Sequence, residues 1–333
     1  MNRILGPIAE AQAYTLAAME EASKTGQRLV GVDHLFLALT LNEGVAGQVL
    51  RGAGATLERS RAAIRDMRAE QLAGLGITAP DPEGDIDFHS TGGYDLGEPV
   101  NEVLKRATAR KQKGDTPAVL RALIAEPSGV VDEILERLGI APGEVLSLLD
   151  DAEGLSHSAA GASRERDLVA GRYRAFIPAA VPEVWALLAD PERLPEWDNL
   201  VARAEGPAGA EPGSGPAVGD VSYAWMSTHS ADGKQLKSRP EYRNMRSEVI
   251  ACDPEREIAW RLDYPDAPKA NARRLEITLE HAAGGTQLAF LLAWERNPGR
   301  RRTPLNLLAR PLYRFFVWMQ LTQLSAGISR AFR

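Results

Sequence analysis

Cysteine is almost missing: Cys252 is the one thiol in 333 residues. An internal disulfide is therefore excluded, and no cysteine cluster exists to hold zinc. A reducing, cytoplasmic setting is the expectation. Histidine is nearly as scarce. The five residues at 34, 89, 157, 229 and 281 show no metal-ligand spacing. Long apolar runs are lacking too. No stretch of about 20 uncharged apolar residues occurs, so no membrane-spanning helix is expected. The opening residues MNRILGPIAEAQAYT hold no apolar segment of signal-peptide length. Excess positive charge is also missing: 39 basic against 45 acidic side chains give −6, which argues against a nucleic-acid binder. No Gly-x-x-x-x-Gly-Lys-Ser/Thr loop is present to cradle phosphates, and no Gly-x-Ser-x-Gly elbow carries a nucleophile. No cofactor, no metal site and no catalytic residue is assigned from these patterns.

Aromatic residues are unevenly spread. All six tryptophans (185, 197, 225, 260, 294 and 318) fall in the second half. The first half is rich in Ala, Leu, Glu and Arg instead. Two different core chemistries predict two domains.

In the first half, Ile8, Ala11, Leu16, Met19 and Ala22 recur at helical spacing, and Gly26 ends the helix. Further helices are expected near 33–42, 45–52 and 56–73. Asp33 is placed to cap the first of these. The stretch 79–97 (APDPEGDIDFHSTGGYDLG) is rich in Pro, Gly and Asp and reads as an exposed linker. The pattern then returns. Gln12–Gly26 aligns with Val100–Gly114, Leu35–Leu39 with Val119–Leu123, and the segment from Val49 with that from Ile134, setting Gly54 opposite Gly139.

The segment GQRLVGVDHLFLALTLNEGVAGQVLRGAGATLE resembles the repeat domain at the N-terminus of Clp-family ATPase unfoldases, through Gly26, Gly31, His34, Leu35, Leu37, Leu39, Gly44, Val45, Ala46, Val49, Leu50 and Gly54. The resemblance implies an all-α docking domain over 1–152, with repeats at about 8–70 and 98–150. In some members of that family an acidic residue in each repeat holds arginine-phosphorylated substrates. The first such position matches Asp33, the partner-docking candidate; the second falls near Pro117, which carries no charge. Without a phosphate-cradling loop, the chain has such a docking domain but no motor.

Residues 153–166 lie within a small, polar, non-periodic stretch and read as a linker. From 167 to 333 the chain reads as strand, two short helices, a run of strands and one long helix. Strands are expected at 168–177, 220–230, 239–252, 257–264, 272–281 and 286–296, and the helix from about Pro304 to Phe332. This is α+β order, with an antiparallel sheet wrapped around the C-terminal helix. The segment VPEVWALLADPERLPEWD, with Trp185, Asp190, Pro191, Leu194, Pro195 and Trp197, resembles the START-like (SRPBCC) superfamily of polyketide cyclases, aromatases and lipid carriers. The resemblance implies a helix-grip domain enclosing a cavity for a hydrophobic small molecule or lipid.

Period-two faces nominate the cavity walls. Tyr223 and Trp225 share one face of their strand; Trp260, Leu262 and Tyr264 share another. Phe290 and Trp294 alternate along the last strand, and Trp197, Tyr242, Phe315 and Met319 complete the set. His229, Glu241, Arg243 and Asp263 are the single acids and bases that could reach a pocket. Seven arginines and no acid lie between Asn297 and Arg333, so the basic terminal helix could also meet an anionic membrane surface. The leading expectation is a non-catalytic binding protein. Its cavity holds a hydrophobic molecule and its helical half docks a protein partner, with Clp proteolysis as the implied link. The alternatives are a polyketide cyclase or aromatase, and a lipid carrier at a membrane.

Overall fold

A computed structural model describes residues 2–77, 84–86, 93–109, 115–156, 170–209, 215–229, 235–236, 239–295 and 310–333. The chain forms two compact units, Met1–Ala162 and Ser163–Arg333.

The first unit holds two sets of four helices. In order they are α1 (Asn2–Lys24), α2 (Val32–Leu41), α3 (Val45–Gly52) and α4 (Leu57–Gly74), then α5 (Glu98–Ala107), α6 (Thr116–Ile124), α7 (Val130–Leu138) and α8 (Pro142–Ser156). Gly54 and Gly139, aligned in the sequence, both take left-handed backbone just after α3 and α7, with φ of 96° and 74°; glycine adopts that region without steric penalty. Every residue of α2 is buried, because its apolar residues surround the helix and it runs through the middle of the unit. Leu35, Phe36 and Leu39 of α2 share one core with Val119, Leu120 and Leu123 of α6 and with Ile134 and Leu135 of α7.

Two details differ from the sequence reading. The expected linker 79–97 contains a strand, β2 (Asp95–Leu96), which pairs in parallel with β1 (Leu29–Val30). Backbone groups on β1 would otherwise lack partners, and the Asp95 and Gly97 amides donate to the Arg28 and Val30 carbonyls at 3.0 and 2.9 Å. Further on, α8 continues to Ser156, into the stretch expected as a tether; residues 157–166 of that stretch lie outside the described residues.

Arginine serves the first unit as a buried connector. The Arg51 Nη1 donates to the Thr40 and Asn42 carbonyls at 2.7 and 2.8 Å, meeting the unpaired acceptors at the end of α2. Burial lowers its pKa to about 10, against the opposing pull of Glu43. Arg61 on α4 grips both oxygens of the buried Glu21 on α1, each at 2.9 Å.

The second unit is a seven-stranded antiparallel sheet in the order β3-β9-β8-β7-β6-β5-β4. Its elements are β3 (Ala170–Ile177), α9 (Val181–Ala189), α10 (Leu194–Trp197), β4 (Val201–Glu205), β5 (Val221–Met226), β6 (Asn244–Asp253), β7 (Glu257–Asp263), β8 (Ala272–Ala282), β9 (Gly285–Glu295) and α11 (Arg310–Arg330). Six of the seven strands fall where the alternation predicts. The seventh, β4, is only five residues long and largely exposed, VARAE, with no apolar alternation to announce it. The first and last strands of the unit pair over the whole of β3, Ala170 with Ala293 through Ile177 with Thr286. Val317, Leu321, Leu324 and Ile328 of α11 are buried in one core with Leu275, Ile277, Phe290 and Leu292. This is the helix-grip arrangement: the sheet's inner face closes on the terminal helix. No helix among the described residues is long and apolar enough to cross a membrane.

Candidate ligand-binding site

Alternation decides which side chains the sheet sends inward. On the inner face the register forms rungs across the strands. One runs Ser222, Ser247, Leu262, Arg273, Trp294; the next runs Val249, Trp260, Leu275, Leu292. Between these rungs, α10 and α11 lies a cavity of about 170 Å³. Its wall is mostly apolar, with Leu188, Leu194 and Trp197 on one side and Met226, Met245, Trp260 and Leu262 on the other. A 150 Å³ apolar cavity already holds benzene, so this space suits a body of one or two rings.

The polar groups on the wall are few. The Ser222 and Ser247 hydroxyls hydrogen-bond to each other at 2.6 Å. Arg273 lies half-buried on the wall; its Nη2 donates to Tyr264 Oη at 2.6 Å and to Met245 Sδ at 3.6 Å. The guanidinium carbon sits 5.4 Å from the Tyr264 ring centre, a cation–π distance. Asp198, which follows α10, also lines the cavity, and its Oδ1 accepts the Leu200 amide at 3.0 Å. Burial raises the Asp198 pKa above the ordinary carboxylate value; the Leu200 amide and the Arg273 charge offset this in part. Two donors in the wall have no acceptor: Trp197 Nε1 and Arg273 Nε are buried and unpaired.

The sign of the Asp198 shift sets a stability trend. A carboxyl with a raised folded-state pKa holds a proton in the folded chain that it releases on unfolding. Stability therefore falls as pH rises from the ordinary carboxylate value through the raised one. Asp198→Asn is expected to melt above the wild type at about pH 8 and level with it at about pH 3. Parallel thermal melts check this; a variant that melts lower at the alkaline end would mean that the charged carboxylate is the stabilised form.

Of the side chains nominated from the sequence, Trp197 and Trp260 line the cavity, as do Leu262 and Tyr264; Tyr223 borders it but is exposed and shares the strand phase of Trp225. Trp225 does not line it. The inward residues of β5 are Ser222, Ala224 and Met226; Trp225 faces the other way, under the Arg203 guanidinium at 4.1 Å. Choosing the aromatic face inverted this strand, because small side chains leave the room that a cavity needs. Tyr242 stands outside the wall at 37% exposure, edge-on to Tyr264 at 5.1 Å. Phe290 is consumed by the core, packed on Tyr173 with 6.5 Å between ring centres. Trp294 shares Arg273's rung but packs against the core beside the cavity, and Met319 of α11 is half-buried outside the lining. The Phe315 side chain lies outside the described residues.

None of His229, Glu241, Arg243 or Asp263 reaches the wall. Asp263 is engaged on the outer face by Arg246 at 3.1 Å and Arg261 at 3.3 Å. Among the polar groups that do reach it, Asp190, Asp198, Asp220, Arg273 and Gln320 were missed. For Arg273 a signal existed: it shares the phase of Leu275, Ile277 and Leu279, the inward face of β8. Among the described residues no group of three or more His, Cys, Asp or Glu side chains could hold a metal ion.

In the first unit, Gly31 and not Asp33 sits at the N-cap of α2. Asp33 is 9% exposed and ion-paired with Arg68 of α4, so docking at this carboxylate requires Arg68 to move. His34 is buried, and its Nδ1 accepts the Gly31 amide at 3.0 Å.

Residues 171–316, from β3 into α11, match the family described as polyketide cyclase/dehydrase and lipid transport. The second unit thus carries a domain of the polyketide-cyclase type. Among solved structures, a protein from Chromobacterium violaceum is similar at 18% identity, over 48% of this chain and 96% of that one, with a TM-score of 0.31. A Polyketide_cyc-like protein from Corynebacterium glutamicum is similar at 18% identity, over 50% and 92% of the two chains, with a TM-score of 0.33. The di-domain ARO/CYC StfQ from the steffimycin biosynthetic pathway is similar at 19% identity, over 62% and 59%, with a TM-score of 0.35.

Proposed function

We propose that the second unit binds an oxygen-bearing hydrophobic molecule of the polyketide type and catalyses its cyclisation, with Asp198 as the proton-transfer group. The observation that carries this reading is Asp198 itself: a carboxyl on the wall of an apolar cavity, with burial favouring its protonated form. The family match supports the same substrate class. In an aldol ring closure, an enol carbon of the substrate attacks a ketone carbon of the same chain. Asp198 gives its proton to the ketone oxygen, which becomes a hydroxyl. The resulting carboxylate takes the enol hydroxyl proton, so Asp198 ends as it began and no co-reactant is needed. General acid–base catalysis of this kind contributes about 10²- to 10⁴-fold. This takes up the cyclase alternative over the non-catalytic reading, which rested on the two resemblances and on the lack of an ATPase motif and of a catalytic constellation in the sequence.

Asp198→Asn is expected to lower the rate of ring closure of a synthetic aryl triketone by about 10²-fold or more while still binding it. Absorbance of the cyclised product measures the rate, and quenching of the cavity tryptophans measures binding. Equal rates in the two proteins would remove Asp198 from the chemistry and leave a binding domain.

For the first unit we propose protein docking of the Clp-repeat kind, with Clp proteolysis as its setting. The support is the all-helical run from α1 to α8 and the sequence echo around Gly26–Gly54. Capture of purified Clp unfoldase or peptidase subunits by the full chain tests it, and no capture sinks it.

A further inference from the structure

Arginines on the two faces of the sheet are treated differently. On the outer face, Arg246 reaches Glu248 and Asp263, Arg261 reaches Asp263 and Glu295, and Arg274 reaches Glu276, all within 2.8–3.3 Å. Arg273, next in sequence to Arg274 but pointing inward, has no such partner: among the described residues its only hydrogen-bond acceptors are a phenol oxygen and a thioether. It stands on the cavity wall, between Leu262 and Trp294 on its rung. Guanidinium groups stay charged, and a charge removed from water without a counter-charge is unfavourable by several kcal/mol. Arg273 is half-buried, and the cavity beside it leaves room for a second charge to enter.

The neighbouring groups agree on the sign of that charge. Tyr264 Oη already accepts from Arg273 Nη2, which leaves its own proton to donate. Trp197, only 5% exposed, holds Nε1 in the same wall without an acceptor. Arg Nε and Trp Nε1 only donate. The three aspartates that border the cavity are each turned to a backbone amide, Asp190 to Glu192, Asp198 to Leu200 and Asp220 to Ala217. Donors without acceptors beside an unpaired cation define a site for an anionic oxygen.

We propose that Arg273 and Tyr264 anchor a carboxylate on an otherwise apolar ligand, whose ring body fills the space between Trp197, Trp260 and Leu262. The proposal rests on the cavity being the ligand site. It is independent of whether Asp198 does chemistry there. Charge-assisted hydrogen bonds from arginine to carboxylate are about twice as strong as neutral ones, so the carboxylate is read by the protein as more than a solubilising group.

The probes are 2-naphthoate and its methyl ester, which share a two-ring body and differ in the charge. Binding is measured on the full chain by quenching of the cavity tryptophans and by calorimetry. The wild type is expected to hold the acid about ten- to a hundredfold more tightly than the ester. Arg273→Met should abolish that preference and leave ester affinity within about threefold of the wild type; binding of the ester shows that the variant is folded. Tyr264→Phe should weaken the acid by about threefold to tenfold and spare the ester. If the wild type holds acid and ester equally, or if Arg273→Met keeps the preference, the anchor is wrong while the cavity stands. If neither probe binds, the anchor and the ligand-site reading both fall.

Discussion

Gly327→Ala is expected to destabilise the second unit by about 3 kcal/mol, lowering its melting temperature by on the order of 10 °C. Helix propensity alone gives the opposite sign, since alanine is favoured over glycine inside a helix by about 1 kcal/mol. The reason for the reversal is a close approach. A Cβ at position 327 would stand 1.9 Å from the carbonyl oxygen of Trp197 and 2.9 Å from its carbon. Both obstacles are backbone, so no rotamer change relieves the clash; α11 must back away from α10. The displaced segment carries Trp197 and Asp198, two groups of the cavity wall, so binding of any cavity ligand should weaken together with stability. Gln323→Ala, at an exposed position of the same helix, serves as the control and should stay within about 0.5 kcal/mol. A Gly327→Ala protein that melts with or above the wild type would show that α10 and α11 are not held this closely.

Arg61→Met should be as damaging in the first unit, with a loss of about 3–5 kcal/mol. Glu21 is 2% exposed, and Arg61 supplies donors to both of its oxygens. Removing the guanidinium takes from a buried carboxylate the group that donates to both of its oxygens. The paired substitution Glu21→Leu with Arg61→Met removes the charge as well as its partner and should recover most of the loss, because apolar replacements of buried pairs are often neutral or better. Denaturant unfolding of the three proteins measures this. Equal stability of the single and double variants would mean that the pair's contribution is packing and not charge.

Periodicity made much of the architecture readable. In the first unit it located α2, α3 and α4 to within a residue or two, while α1 starts at Asn2 and not near Ile8. It gave no bounds for α5 to α8, which entered only through the alignment of the two segments. In the second unit it found every strand with an apolar inner row. It failed at β4, whose five residues carry no such row, and at β2, whose two residues are ordered by pairing and not by burial. The site was harder to read than the fold. Large aromatics signal burial, and burial in a packed core, as for Phe290, leaves the same trace as burial around a cavity. The residues that make space, Ser222 and Ala224, leave almost none. Asp198 owes its place to the turn after α10, a tertiary circumstance. Arg273 was legible through its phase on β8, where a charge interrupts an apolar row.

The parallel pairing of Leu29–Val30 with Asp95–Leu96 ties the first run of four helices to the segment that leads into the second, and the central helices α2 and α6 bury their apolar faces in one core. Neither run is therefore a self-sufficient folding module. Produced separately, residues 1–77 and 93–156 would each expose half of an interior and one lone strand, conditions that favour aggregation of either piece but reassembly of the two together. The two runs thus behave as subunits that a single chain keeps within reach of each other.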